Sequence, residues 1–224
     1  MSGKLYIVST PIGNLEDITL RAIKTLKSVD LIVAEDTRRT GILLKHFGIE
    51  KPQLSYFEFN EEKRISQVTE KLKAGQNIAL VSDAGTPLIS DPGFKLVREC
   101  IKLGVAVEPI PGASAVLAAL VSSSLPTDKF LFLGYLPKTQ SKAAKILSNL
   151  KKIVAIQKMT VILFESPHRL VKTLELLREN FGDIDIAVAR ELTKIHQEIL
   201  RLKVSQAISR FEQSVIRGEF TIVF

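Results

Sequence analysis

The chain has 224 residues, of which 46% are hydrophobic and 25% are charged. This length and composition predict one large or two small globular domains with a sizeable hydrophobic core. The formal net charge of +7 permits an anionic partner, above all nucleic acid, without requiring one.

The cysteine count and the lengths of the apolar runs exclude a disulfide-stabilised fold and a membrane-spanning helix. Cys100 is the only cysteine, so no internal disulfide can form and a reducing compartment is expected. It shares one face of a predicted helix with Leu96 and Leu103, which favours a small buried thiol over a nucleophile. No uncharged apolar run reaches the roughly 18 residues of a membrane span, and residues 1–4 lack a signal-peptide hydrophobic region. We therefore expect a cytoplasmic protein that does not bind a membrane.

Short apolar runs alternate with segments of helical periodicity along the chain. In the first half, the predicted strands are residues 4–9, 31–34, 54–57, 78–81 and 105–110. Such alternation predicts a parallel sheet covered by helices on both faces. The second half repeats the alternation less regularly. Its predicted strands are residues 130–133, 161–164, 184–189, 199–204 and 220–224. We predict an α/β protein with two domains, residues 1–118 and 119–224.

Residues 82–93 form an unusually long connection between a predicted strand and a predicted helix. These twelve residues hold two Gly, two Pro, two Ser, one Thr and two Asp. An ordinary connection at this place needs only about two to six residues. Because ligands bind at the carboxyl ends of strands in open α/β sheets, we favour a ligand site here over a tight turn rich in helix-breaking residues.

The commonest cofactor and nucleophile motifs are absent from the sequence. No Gly-x-Gly-x-x-Gly follows the first strand, and no P-loop motif occurs. One cysteine and three scattered histidines give no zinc-ligand spacing, and there is no Gly-x-Ser-x-Gly. We therefore expect no metal, no Rossmann-type dinucleotide site and no serine-hydrolase chemistry.

Basic side chains are predicted in the first turn of two helices that follow strands. Arg38 and Arg39 occupy one such turn. His168 and Arg169 occupy the other, for which Ser166 is the predicted N-cap. The positive end of the helix dipole disfavours cations there, so these side chains either extend into solvent or help to bind an anion. Two instances at predicted strand ends favour anion binding.

A third basic feature is the segment from residue 129 to residue 160, which has no Asp or Glu. It is either a solvated surface or a surface for RNA or another polyanion, and the sequence favours neither. Its seven lysines are Lys129, Lys138, Lys142, Lys145, Lys151, Lys152 and Lys158.

Four carboxylates follow predicted strands and are candidates for acid–base chemistry. They are Asp83, Asp91, Glu165 and Glu191. Each is equally suited to capping a helix or forming an ion pair, which are the commoner roles of such residues. The composition does not show which of the four carboxylates acts as an acid or a base.

Seven short motifs rich in Gly, Pro and charged residues follow one another along the chain. They are VSTPIGNLEDI (8–18), AEDTR (34–38), SDAGTPLISDPG (82–93), PGASA (111–115), FESPHRL (164–170), ARELTK (189–194) and GEF (218–220). In this order they resemble the motifs of the ribosomal RNA small-subunit methyltransferase I family, which belongs to the tetrapyrrole (precorrin-like) methylase superfamily. The resemblance spans essentially the whole chain, and residues 82–93 are its most specific part.

The resemblance implies two α/β domains, with a mostly parallel N-terminal sheet and a mixed C-terminal sheet. It also implies S-adenosylmethionine bound in the cleft between the domains, and a homodimer. The implied reaction is methylation of a cytidine ribose 2′-hydroxyl in the decoding region of 16S ribosomal RNA, by in-line displacement at the sulfonium methyl group. No DNA partner is implied.

The resemblance also assigns residues. The implied cofactor-binding residues are Pro11, Asp83, Ala84, Gly85, Thr86, Pro87, Leu88, Ile89, Ser114, Ala115, Leu133, Gly134 and Thr221. The candidates for a catalytic base are Glu165, Glu191 and Asp83. The residues expected to contact substrate RNA are Arg38, Arg39, His168, Arg169, Arg190, Lys138 and Lys142.

The sequence departs from the family pattern at two places. Members commonly carry histidines just before the pair equivalent to Asn60 and Glu61, whereas this chain has Phe57 and Phe59 around Glu58. Members usually continue past the last strand into a small helical extension, whereas this chain stops at residue 224. We expect RNA docking by that extension to be absent, or to be performed by the lysine-rich segment.

Three other functions stay open at this point. The first is that of a superfamily methylase whose substrate is a small molecule such as a tetrapyrrole or a modified amino acid. A non-catalytic RNA-binding or ribosome-assembly module is a second possibility. The third is a protein that binds the cofactor without catalysing methyl transfer.

Overall fold

The computed structural model describes residues 2–224. The chain divides into two compact units, Met1–Ser114 and Ala115–Phe224. Each unit contains one five-stranded sheet.

The first unit is built on a sheet in which every pair of neighbouring strands is parallel, as predicted from the alternation of strands and helices. The strand order is β3-β2-β4-β1-β5. The strands are β1 (Leu5–Val8), β2 (Leu31–Ala34), β3 (Gln53–Ser55), β4 (Ile78–Val81) and β5 (Val107–Ile110). The helices are α1 (Leu20–Ser28), α2 (Thr37–His46), α3 (Glu61–Lys73) and α4 (Phe94–Lys102), with a 3-10 turn at Leu15–Asp17.

Strands β2 and β4 at the centre of this sheet are buried at every residue. Because successive side chains of a strand point to opposite faces, Val33 and Leu80 belong to one hydrophobic cluster, and Ile32 and Ala79 belong to another. Continuous apolar runs are therefore required in these strands, since both faces of the sheet are covered.

Cys100 is fully buried in α4 and packs in the same cluster as Leu96. Burial raises the pKa of its thiol to about 11. The thiol is therefore protonated at neutral pH, and the prediction of a buried structural cysteine is confirmed.

The second unit contains a mixed sheet, also as predicted. Strand β6 pairs parallel to β7, and the other pairings are antiparallel. The order β6-β7-β10-β8-β9 places the last strand of the chain at the centre of the sheet. The strands are β6 (Phe130–Tyr135), β7 (Thr160–Glu165), β8 (Asp185–Arg190), β9 (Glu198–Lys203) and β10 (Phe220–Val223). The helices are α5 (Ala115–Val121), α6 (Gln140–Gln157), α7 (Leu170–Phe181) and α8 (Val204–Glu212).

The predicted start of α7 is wrong. The helix begins at Leu170, and Arg169 rather than Ser166 occupies the N-cap position. The backbone N–H of Ser166 instead donates to the Glu165 carboxylate at 2.7 Å, and the N–H of Arg169 closes a turn onto the Ser166 carbonyl at 3.1 Å. The hydrogen bond from Ser166 to the buried carboxylate of Glu165 therefore replaces the predicted helix cap. His168 and Arg169 precede the helix instead of occupying its first turn.

Across residues 2–224, each helix is too short or too polar to pass through a lipid bilayer.

Candidate active site

Residues 82–93 form a strained loop between β4 and α4, and its backbone visits the left-handed region at four positions. Two are glycines, Gly85 (φ 79°) and Gly93 (φ 131°). The other two are Leu88 (φ 74°) and Ser90 (φ 67°). A non-glycine residue in this region costs on the order of 1–2 kcal/mol. Strain of this kind persists only where the surrounding structure enforces it, and it concentrates at functional sites.

The loop is held to the loops that follow β1, which pairs with β4, and β5, the next strand beyond β1. Thr10 and Gly85 exchange two backbone hydrogen bonds of 2.9 and 3.0 Å. The hydroxyls of Ser9 and Thr86 are hydrogen-bonded at 3.0 Å, and the Thr86 hydroxyl also donates to the Ala113 carbonyl at 3.4 Å. Three loops at the carboxyl edge of one parallel sheet are therefore joined into a single structure, the three-loop junction.

Glycines allow the backbones to approach closely within the three-loop junction. A Cβ on Gly85 would lie 3.3 Å from the Cγ2 of Ile12. A Cβ on Gly112 would lie 3.0 Å from the Cβ of Ser9. A side chain at either position would therefore crowd its neighbour, which favours glycine at both.

The junction contains most of the predicted cofactor-binding residues. Pro11, Gly85 and Pro87 are buried, whereas Ala84 and Ile89 are exposed. The remaining predicted residues of this unit are intermediate in exposure: Asp83, Thr86, Leu88 and Ser114. Sequence reasoning did not select Ser9 or Thr10, whose roles depend on contacts about 75 residues away along the chain.

Carboxylates with raised pKa values lie beside the junction. Burial raises the pKa of Asp83, against the opposing charge of Arg39. Burial also raises the pKa of Glu35, and the charge of Asp83 raises it further. Burial together with the charge of Glu35 raises the pKa of Asp91 to about 6. Groups of this kind are typical of acid–base sites. Glu35 was not among the sequence candidates, because its proximity to Asp83 depends on the pairing of β2 with β4.

The raised pKa of Asp91 predicts a pH-dependent change in stability. The native state holds this proton more tightly than the unfolded chain does, whose pKa is near the usual 3.8. Stability is therefore lost as the pH rises from about 4 through about 6. We expect Asp91→Asn to raise the free energy of unfolding by about 1 kcal/mol at pH 7.5, a value discounted for partial exposure. Near pH 3.5 the substitution should have no effect.

Urea denaturation of both proteins between pH 3.5 and pH 7.5 measures this effect. Asp128→Asn, at an exposed position of the second unit, is the matched control and should leave the pH profile unchanged. Parallel profiles for Asp91→Asn and the unsubstituted protein would contradict the assigned pKa.

Arg38 and Arg39 lie in the first turn of α2, as predicted, and both pair with carboxylates of this region. The guanidinium of Arg38 donates to both oxygens of Asp36, at 3.0 and 2.6 Å, and holds the pKa of Asp36 well below its usual range. Arg39 lies 3.4 Å from Asp83, which also accepts the backbone N–H of Asp36 at 3.0 Å. Both arginine side chains remain mostly exposed.

In the second unit, Glu165 is buried in a complete hydrogen-bond network at the end of β7. Beyond the N–H of Ser166, its carboxylate accepts the hydroxyl of Thr173 at 2.5 Å and the guanidinium of Arg169 at 3.3 Å. Arg169 also donates to the carbonyl of Leu136 at 2.8 Å. The side chain of Glu165 has no exposed surface. These contacts tie β7, α7 and the segment after β6 together.

Glu191 forms a second network at the end of β8. Its carboxylate accepts the ammonium of Lys194 at 2.9 Å and the backbone N–H of Glu219 at 3.0 Å. Burial opposes these bonds, but together they lower the pKa of Glu191. Arg190 donates to the carbonyl of Arg217 at 2.8 Å.

The other sequence-predicted residues of the second unit are distributed between strands and exposed turns. Leu133 and Gly134 lie in β6, at an irregularity in its pairing with β7. Thr221 is buried in β10. His168, Lys138 and Lys142 are exposed, and Ala115 begins α5. Within residues 2–224, no three His, Cys, Asp or Glu side chains are grouped so as to hold a metal ion.

Comparison with known proteins identifies the class to which this fold belongs. The family described as Tetrapyrrole (Corrin/Porphyrin) Methylases matches residues 4–208. The structure of a cobalt precorrin-4 methyltransferase aligns with a TM-score of 0.72 and 19% identity, over 98% of this chain and 93% of that one. Uroporphyrin-III C-methyltransferase from Thermus thermophilus, in complex with S-adenosyl homocysteine, gives a TM-score of 0.65 and 17% identity, over 99% and 97% of the two chains. The chain is therefore a member of the tetrapyrrole methylases.

More similar sequences define its place within that class. A protein of Thermotoga maritima named ribosomal RNA small subunit methyltransferase I is 51% identical over 221 residues, which cover 99% of this chain and 97% of that protein. A protein of the same name from Bacillus subtilis is 49% identical, over 99% of this chain and 74% of its own length. The chain belongs to the ribosomal RNA small subunit methyltransferase I family. The predictions of this family and of a methyltransferase enzyme are confirmed.

Proposed function

We propose that this protein transfers a methyl group from S-adenosylmethionine to the 2′-hydroxyl of a cytidine ribose in the decoding region of 16S ribosomal RNA. The observation that carries the proposal is the three-loop junction, in which residues 82–93 are bonded to the loops after β1 and β5. A strained loop at the carboxyl edge of a parallel sheet is where such folds bind a ligand. The names of the relatives support the ribosomal substrate.

The residues of the junction suit S-adenosylmethionine, which would supply an activated methyl group on a positively charged sulfur. The absence of side chains at Gly85 and Gly112 allows a ligand to approach the backbone of the junction closely. The carboxylates of Asp83, Asp91 and Glu35 favour a cationic ligand. We assign cofactor binding in this unit to Pro11, residues 83–89 and Ser114. Leu133, Gly134, Thr221 and Ala115 remain predicted contacts from the second unit.

Positioning should account for most of the rate acceleration, since the methyl donor is already activated. Among the three candidate bases, we favour Asp83, because burial raises its pKa while its side chain stays partly exposed. A base is more effective as its pKa approaches the working pH. Glu165 is saturated with hydrogen bonds, and the lowered pKa of Glu191 makes it a weaker base.

We further propose that exposed cations bind the phosphates of the RNA. Arg38, Arg39, His168 and Lys138 are exposed and are suited to this role, although Arg38 and Arg39 also pair with carboxylates. Arg169 and Arg190 are less exposed and donate to main-chain carbonyls. The reaction is proposed to occur in the cytoplasm, and the enzyme is proposed to be a homodimer. The domain boundary at residues 118 and 119 also remains a proposal.

A methylation assay tests the function directly. Small ribosomal subunits from cells that lack this protein, incubated with the purified protein and S-adenosylmethionine, should gain one 2′-O-methylcytidine detectable by mass spectrometry of the 16S RNA. Asp83→Asn should reduce kcat by about 10²-fold or more, the lower end of the usual contribution of a general base. Asp128→Asn, at an exposed position of the second unit, is the matched control.

Each alternative function predicts a different result in this assay. Methylation of a tetrapyrrole but not of the subunit would indicate a small-molecule methylase. Subunit binding without S-adenosylmethionine binding in calorimetry would indicate an assembly module. Binding of both without methyl transfer would indicate a protein that has lost catalysis.

A further inference from the structure

Helix α6 carries lysines and isoleucines together on its solvent-facing side. Its core-facing side consists of Ala143, Leu147 and Leu150, which are buried. At 100° per residue, seven other positions fall within an arc of about 120° that begins opposite Ala143 and ends beside the core-facing side. All are exposed, and Ile156 is 82% exposed. We call this arc the basic face, and its residues are Lys142, Lys145, Ile146, Asn149, Lys152, Ile153 and Ile156.

The lysines of the basic face form no ion pair with the acidic residues of the described part of the chain, residues 2–224. Among the described residues 2–224, the ion pairs of lysine involve Lys4, Lys95, Lys102, Lys194 and Lys203, and none involves a residue between 129 and 160. Residues 129–160 also contain no Asp or Glu. No acidic side chain of residues 129–160 therefore neutralises the positive electrostatic potential of α6. This potential favours an anionic partner.

The mixture of charged and apolar side chains distinguishes between anionic partners. An interfacial membrane helix needs an apolar side separate from its charged side, but the apolar side of α6 is buried in the protein core. A second copy of the chain docked through the same face about a two-fold axis would place lysine against lysine. RNA offers phosphates for lysines, together with sugar and base surfaces for exposed isoleucines.

We propose that the basic face of α6 is a docking surface for the ribosomal RNA substrate. Lys142, Lys145 and Lys152 contact phosphates along about 15 Å of the helix, and Ile146, Ile153 and Ile156 pack against sugars or unstacked bases. The surface is distant in sequence from residues 82–93 and acts by binding rather than by chemistry. This inference rests on the proposed function for the identity of the RNA.

The salt dependence of RNA binding tests the lysines. For the unsubstituted protein and for Lys142→Ala/Lys145→Ala/Lys152→Ala, affinity for small ribosomal subunits is measured between 50 and 300 mM KCl, on the order of the range used for such slopes. Each lost phosphate contact should reduce the slope of log affinity against log salt by about 0.7–0.9, so the triple variant should lose about 2–3. KM for the subunit should rise at least about tenfold, with kcat and S-adenosylmethionine affinity unchanged.

Two further variants provide a lysine control outside the basic face and a separate test of its isoleucines. Lys24→Ala/Lys27→Ala/Lys73→Ala removes three exposed lysines of the first unit that form no ion pair among residues 2–224, and should leave the slope unchanged. Ile153→Ser/Ile156→Ser should weaken binding by about three- to tenfold through lost apolar contact, without changing the slope. The proposed docking surface is supported if the lysine substitutions reduce the slope of log affinity against log salt and the isoleucine substitutions weaken binding without changing that slope.

The outcomes separate this proposal from the proposed function. An unchanged slope in the lysine triple variant, while methylation continues, overturns the docking surface and leaves the function intact. Failure of the unsubstituted protein to methylate the subunit overturns the function, and the slopes still decide whether α6 binds RNA. Loss of phosphatidylserine-vesicle binding or of dimerisation in the triple variant, with an unchanged RNA slope, assigns the face to a membrane or to a second copy and overturns the proposal.

Discussion

Replacing Glu165 with alanine is expected to lower the free energy of unfolding by about 3 kcal/mol, because the substitution breaks a buried charged network. Arg169 would lose its carboxylate partner, and the buried hydroxyl of Thr173 would lose its acceptor. The backbone N–H of Ser166 would also be left unpaired. Urea denaturation followed by circular dichroism measures the change.

Glu179→Ala is the matched control for this substitution. Glu179 is an exposed glutamate of α7 that forms no ion pair among the described residues 2–224, so its removal should change stability by less than about 0.5 kcal/mol. Glu165→Gln separates the two roles proposed for this carboxylate. A structural role predicts a loss of stability with kcat retained in the folded fraction. A fully stable Glu165→Gln protein without activity would make Glu165 the base.

Replacing Gly85 with alanine is expected to weaken S-adenosylmethionine binding at least tenfold, equivalent to about 1.4 kcal/mol. The residue has φ 79°, and a Cβ there would meet the Cγ2 of Ile12 at 3.3 Å. The strain of an alanine at this φ, together with the crowding of Ile12, is expected to disturb the two hydrogen bonds between Thr10 and Gly85. Stability should fall by about 1–2 kcal/mol, through backbone strain and the displaced contact. Calorimetric titration measures the affinity.

Gly104→Ala is a matched control for the backbone strain alone. Gly104 also has a positive φ of 68°, but a Cβ at this position has no atom within 4 Å. Its substitution should cost about 1 kcal/mol of stability and leave cofactor affinity unchanged. If Gly85→Ala and Gly104→Ala bound S-adenosylmethionine with equal affinity, the three-loop junction would not be part of the cofactor site.

Much of the fold could be predicted from local sequence patterns. The apolar runs of β2 and β4 are continuous because both faces of the first sheet are buried. The helical spacing of Leu96 and Cys100 predicted the buried face of α4. These features depend on side chains within a few positions of one another, so periodicity is sufficient to identify them.

A local pattern failed at the start of α7, where a buried carboxylate competes with the predicted capping residue. Ser166 and Pro167 resemble the beginning of a helix, yet α7 begins at Leu170. Glu165 accepts the N–H of Ser166 and also the hydroxyl of Thr173, eight residues further on. The buried acceptor determines the turn because an unsatisfied carboxylate in the core would cost more than a lost cap.

The sequence by itself determined the alternation of strands and helices, the family motifs, and residues 82–93 as the candidate ligand loop. Only the tertiary structure decided what joins that loop to the rest of the sheet, through Thr10, Gly85 and Thr86. It also decided which carboxylates have raised pKa values, since Asp83 and Glu35 meet only through the pairing of β4 with β2. A pKa depends on burial and on neighbouring charges in space, and strand pairing brings together residues that the linear sequence separates by 48 positions.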